Sequence, residues 1–114
     1  MAKKLADSCG LGPAFSVIGG KWKALILWLI RTEPRRFGEL KRLVPDISEK
    51  MLIQQLREME AHGLVHRKVF HQVPPRVEYS ATALGISLDD ALVPLAEWGE
   101  KHADRLEARS QAAE

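Results

Sequence analysis

One stretch constrains this chain more than any other: a helix marked at both ends, followed at once by a hairpin with a proline tip. Ser48 is a helix N-cap residue, and Gly63 suits the position just past a helix C-terminus. Between them, Glu49 to His62 places Leu52, Leu56 and Met59 on one stripe, at spacings of four and three. Val65 to His71 then alternates like a strand, with Val65, Arg67 and Val69 set against His66, Lys68 and Phe70. Val73-Pro74-Pro75 cannot continue a ladder, so it reads as the loop tip. Arg76 to Ser80 returns as the partner strand.

The remaining elements are arranged around this unit. Pro13 sits in the first turn of a helix that runs to about Ile18 and ends at Gly19-Gly20. Trp22 to Arg31 reads as a second helix with Trp22, Ile26, Leu29 and Ile30 on one face. It is apolar nearly all round, which predicts burial on several sides. Arg35 to Phe37 is a short extended piece. Phe37 to Leu43 is a short helix with Phe37, Leu40 and Leu43 facing inward. Val44-Pro45-Asp46 breaks the chain before Ser48. After the hairpin, Thr82 caps a long helix whose stripe is Leu84, Leu88, Leu92, Leu95, Trp98, His102 and Leu106. Pro94 is expected to kink or split it, and the end from Arg109 is expected to fray.

A short helix, a turn, an amphipathic helix and a hairpin form the winged helix-turn-helix pattern. The expected class is therefore mainly α with a small β-hairpin. At 114 residues the chain has room for one domain, 1–114, with a core over about 9–106. The helix-turn-helix is expected at about 37–62 and the wing at about 65–80.

The net charge of +2 conceals a division along the chain. Residues 1–34 carry +3, residues 35–76 carry +4 and residues 77–114 carry −5. A basic front two thirds points to a polyanion as partner, and the acidic last third to another task. No apolar stretch of signal-peptide length follows Lys3 and Lys4, and the longest apolar run is Ala24 to Ile30. No leader and no membrane partner are expected, and the expected location is the cytoplasm.

At 100° per residue, Lys50, Gln54 and Arg57 lie opposite Leu52 on the 49–62 helix, with Ser48 and Glu49 at its N-terminal tip. Glutamine can read adenine through two hydrogen bonds, and lysine or arginine can read guanine or hold phosphate. Arg67 and Lys68 lie on the first hairpin strand. Arg76 follows the two prolines, where a stiff tip suits the minor groove. Arg35, Arg36, Lys41 and Arg42 flank the preceding helix and can clamp phosphates. Double-stranded DNA is the partner these positions fit.

Rival chemistry finds little support. His62 and His66 are four apart, but Gly63 ends the helix between them, and Cys9 is the only cysteine. No metal, no cofactor and no enzymatic activity are expected. Asp89 and Asp90 are adjacent, point to different sides of a helix and read as solvation. Two other readings stay open. One is a regulator sensing a small molecule through an apolar pocket near a subunit interface. The other is a module whose basic face meets an acidic protein.

The chain also resembles the HxlR family of bacterial winged-helix regulators. The matching stretches are Cys9, Ile18-Gly-Gly-Lys-Trp22, Arg36-Phe-Gly-Glu-Leu40, Ile47-Ser48, Gln54, Leu56-Arg-Glu58, Gly63-Leu-Val65, Val73-Pro-Pro-Arg-Val-Glu-Tyr-Ser80 and Trp98-Gly99 with His102. They occur in one collinear order. The resemblance implies a homodimer in which the first and last helices pair, with Phe15, Leu95, Trp98 and His102 as interface candidates, and two recognition helices on a two-fold operator. It also implies that Cys9, in an N-terminal arm with Lys3 and Lys4 nearby, senses oxidants or electrophiles. Three positions depart from the pattern: Glu49 where Pro is usual, Ile53 where a small polar residue is usual, and Gln55 where Arg is usual. The gain of an acid at Glu49 and the loss of a base at Gln55 put affinity and operator sequence in question, not the fold.

Overall fold

A computed structural model describes residues 9–113, with side-chain surroundings for 9–110. Lys3 and Lys4 lie outside the described residues. The element order is α1 (Leu11–Ile18), α2 (Trp22–Arg31), β1 (Arg35–Arg36), α3 (Phe37–Leu43), α4 (Glu49–Ala61), β2 (Val65–Phe70), β3 (Arg76–Ala81) and α5 (Ala83–Ala113). The strands form one antiparallel sheet in the order β1-β3-β2. Mostly helical, with this small sheet, it is the expected winged helix-turn-helix.

The core is built where the apolar stripes meet. Ile26, Leu27 and Ile30 of α2, Leu40 of α3, and Leu52, Leu56 and Met59 of α4 are all buried. Val44 and Ile47 pin the turn between α3 and α4 into the same cluster, and Leu64 and Val65 close it from the hairpin side. Burial of this kind gives each large side chain about 1.5–3 kcal/mol.

The ends of α4 follow local rules. Met51 N–H donates to Ser48 Oγ at 3.1 Å, which caps the N-terminus. At the other end Gly63 adopts φ 76°. That left-handed turn lets Gly63 N–H reach the Glu60 carbonyl at 3.0 Å and Leu64 N–H reach Met59 at 2.9 Å. Thr82 ties this turn to the last helix, because its hydroxyl donates to the Gly63 carbonyl at 2.6 Å and accepts from Gly85 N–H at 3.0 Å. Gly85 sits so close to Leu64 that a Cβ there would stand 2.3 Å from the Leu64 carbonyl oxygen.

Four expectations are corrected. Of the kink or split expected at Pro94, the split does not occur: the last helix runs unbroken from Ala83 to Ala113 with Pro94 inside it. Leu43 is exposed, because α3 packs through Leu40 and Phe37 while its last turn faces out. The second helix is not buried all round: Lys23, Ile26, Leu27 and Ile30 are buried and Trp22 and Leu29 pack partly against the core, but Leu25 and Trp28 on the remaining side are 44% and 66% exposed. Asp89 is not a solvated residue but is 4% exposed. Its Oδ2 accepts from Arg31 Nη1 at 2.6 Å, while Arg31 Nη2 reaches Asp90 Oδ1 at 2.5 Å. One guanidinium thus bridges α2 and α5. The Asp89 hydrogen bond, then Asp90, raises the Arg31 pKa above its usual value.

Candidate nucleic-acid interface

The recognition helix α4 turns one face outward along its whole length. Glu49, Lys50, Ile53, Gln54 and Arg57 are exposed on it, opposite the buried Leu52, Leu56 and Met59. Lys50, Gln54 and Arg57 therefore stand where the stripe places them. Ser48 is exposed at the tip. Its hydroxyl oxygen already accepts from the backbone, which leaves its O–H free to donate outward. Gln55 is different. The sequence reading counts it as a cation lost from the DNA face, but it is three residues past Leu52 and four before Met59. It is buried, its Nε2 lies 3.3 Å from Met51 Sδ, and its Oε1 has no partner. It takes nothing from that face.

The register of the wing sorts its charges onto two faces. Direct partners share a face, so Arg35, Tyr79 and Arg67 form one row and Arg36, Glu78 and Lys68 the next, on the other side. Arg67 shares a cleft with Ile53, Leu56, Arg57, Glu60 and Tyr79. That cleft brings two arginines together at the junction of α4 and the hairpin. On the opposite face, Arg36 and Lys68 flank Glu78.

Arg76 is less free than a tip residue would be. It pairs with Phe70 as the last rung of the hairpin, below the exposed 71–75 loop. Its guanidinium carbon stands 3.9 Å from the Phe70 ring centre. Its Nε is 3.6 Å from Glu78 Oε1, too far for a hydrogen bond. Lys68 Nζ lies 4.8 Å from the same ring. The bond between Val73 and Pro74 is cis.

Among the other basic candidates, roles divide. Arg36 and Arg42 are exposed. Lys41 is half-buried and donates to the Pro45 carbonyl at 3.4 Å. Arg35 donates Nε to the Leu29 carbonyl at 3.0 Å and pairs with Glu33 at 3.1 Å, so it secures the α2–β1 turn. One further cation escapes sequence reading. Lys23 lies within the apolar α2, is buried, and reaches Glu58 Oε2 of α4 at 2.9 Å. Through that hydrogen bond Lys23 holds the Glu58 carboxyl below its usual pKa. A lysine at the second position of an apolar helix was the available signal.

The apolar residues of the expected subunit interface are exposed. Phe15 on α1 and Leu95 and Trp98 on α5 are more than half exposed, and His102 is half-buried. Trp98 stacks on His102, ring centres 4.7 Å apart, and the two are joined at 2.9 Å between His102 Nδ1 and the Trp98 carbonyl. Cys9 is exposed just ahead of α1, and its carbonyl accepts from Gly12 N–H at 3.2 Å. Among the described residues no group of His, Cys, Asp or Glu side chains converges as a metal site requires. Among them no single helix is long and apolar enough to cross a membrane.

Comparison with known proteins places this arrangement. A family model described as HxlR-like helix-turn-helix matches residues 17–107. The HTH-type transcriptional regulator YkvN of Bacillus subtilis is 54% identical over 98 residues, spanning 86% of this chain and 83% of the relative. YybR of the same organism, also named an HTH-type transcriptional regulator, is 45% identical over 102 residues, 90% of this chain and 82% of the relative. Among solved structures, the redox regulator HypR in its reduced form superposes with a TM-score of 0.82 at 45% identity. That match covers 88% of this chain and 99% of HypR. The reduced form of the transcriptional regulator YodB from B. subtilis gives 0.72 at 33% identity, covering 82% and 92%.

Proposed function

The chain belongs to the HxlR-like helix-turn-helix family and is a transcriptional regulator, not an enzyme; from that premise we propose that it binds a two-fold DNA operator as a homodimer. The observation that carries this reading is the junction of α4 and the wing, where Arg57 and Arg67 line one cleft and Gln54 and Arg57 are exposed on the outward face of α4. Lys50 and Gln54 meet base edges in the major groove, and Ser48 and Arg57 steady the helix against them. Arg36, Lys41, Arg67 and Arg76 hold phosphates on either side. Phe15, Leu95, Trp98 and His102 form the subunit contact. The chain's single domain acts in the cytoplasm.

A duplex containing the gene's own upstream region, titrated across a salt series, tests the proposal. Half-site centres roughly 34–36 Å apart are expected, and affinity that falls steeply with salt. Binding indifferent to salt, or a chain that sediments as a monomer with its duplex, refutes it.

Cys9 is the second part of the reading. It is exposed, it precedes a helix, and HypR, on which the fold superposes, is titled a redox regulator. With one cysteine per chain, oxidation links Cys9 to its counterpart or to a small thiol. Diamide is expected to alter the duplex shift of the wild type and not of Cys9→Ser, with an adduct or crosslink seen by intact mass. Equal responses from both proteins would place any effector elsewhere.

A further inference from the structure

A groove between α2 and α5 belongs to neither the recognition helix nor the wing. Its walls are Ala24, Leu25 and Trp28 from one side and Leu92, Val93 and Ala96 from the other. It encloses about 650 Å³, the size of a small-molecule site. Trp28 offers an open aromatic face, and Leu25 and Val93 are also exposed.

The charges on its rim are unequal. Asp89, Glu97 and Glu100 border the groove, against Lys21 alone. Asp89 is already spent on Arg31. Lys21 lines the groove at one end, where its Nζ also lies 4.4 Å from the Trp22 ring centre. Glu97 and Glu100 have no ion-pair partner among the described residues. An apolar trough with an exposed indole and two uncompensated carboxylates complements an apolar body that carries positive charge.

The proposed subunit contact leaves this groove open. At 100° per residue, Val93, Glu97 and Glu100 lie on nearly the opposite side of α5 from Leu95, Trp98, His102 and Leu106. We propose that the groove is a binding site for a lipophilic organic cation, an aromatic or alkyl body bearing a quaternary or protonated centre. This is a ligand site separate from the DNA surface and from Cys9.

Two probes of one shape and opposite charge decide the matter: tetraphenylphosphonium and tetraphenylborate, each titrated calorimetrically into the full chain. The cation is expected to bind once per chain, at least about tenfold tighter than the anion. Glu97→Gln combined with Glu100→Gln is expected to weaken the cation by about 3–10-fold without weakening the anion or lowering the melting temperature. Val93→Arg is expected to abolish cation binding. Equal or tighter binding of the anion, a wild-type response from the double glutamine variant, or no binding of the cation overturns the site. In the last case, a Val93→Arg chain that turns monomeric identifies a second copy as the occupant instead. Duplex binding, measured on the same samples without probe, succeeds or fails independently.

Discussion

Gln54 and Arg76 differ in how they are held, and the difference predicts different losses. Gln54 is exposed on the outward face of α4, so Gln54→Ala is expected to relax preference at one operator position by about 1–3 kcal/mol. Arg76 lies against Phe70 beside Glu78 and suits a phosphate, so Arg76→Ala is expected to weaken all duplexes about equally. A panel of single-base operator variants, bound to each mutant, separates the two outcomes; a base-selective loss from Arg76→Ala would reverse the roles. Glu58 carries a pH signature. Its folded pKa is depressed by Lys23, so its contribution is complete above the usual carboxylate value of 4.5 and is lost as pH falls through the lower folded value. Glu58→Gln is therefore expected to flatten the acid limb of stability against pH. Chemical denaturation between about pH 2 and 6 would show it; an unchanged acid limb would mean that the pair with Lys23 contributes nothing.

At the level of elements, what could be read from the chain was whatever neighbouring residues decide. Ser48, Gly63 and Thr82 mark real helix ends because capping is a contact over three or four residues. The outward face of α4 was legible for the same reason: its period fixes which side is buried. Pairings between distant elements were not. Asp89 and Asp90 look like solvated acids until α5 is laid against Arg31, 58 residues earlier. Leu25 and Trp28 look like core until the core proves to lie on one side of α2 only. Arg76 looks like a free tip until the register sets it on Phe70. Gly85 belongs to this group, since only the packing of α5 on Leu64 makes its missing side chain necessary. Gly85→Ala is expected to cost about 1–3 kcal/mol through forced displacement of backbone, despite alanine's higher helix propensity. Thermal denaturation checks it, and a variant at least as stable as the wild type would show that the two segments yield without penalty.

For the whole molecule, the longest extent of 52 Å is set largely by one rod, α5. Its first turns are fixed to the body of the fold through Gly85 and the Arg31–Asp89 bridge, and its middle carries Leu95, Trp98 and His102. Trp98→Ala is expected to weaken the dimer before it unfolds the chain, because Trp98 is half-exposed and packs on His102 alone among aromatic rings. Sedimentation over a dilution series would reveal the shift; unfolding at every concentration, with no change in assembly, would make Trp98 a core residue. The length of the rod has a mechanical consequence. At 1.5 Å per residue, the stretch of α5 from Asp89 to His102 is about 20 Å long, so each degree of tilt at the Arg31 bridge sweeps the His102 end by about 0.3 Å. In a pair joined as proposed through Leu95, Trp98 and His102, a tilt of about ten degrees would alter the separation of the two reading heads by about one base-pair step of 3.4 Å. The Arg31 bridge would then act as the fulcrum of a lever, and the fit of the proposed dimer to its operator would be set by an angle at that point.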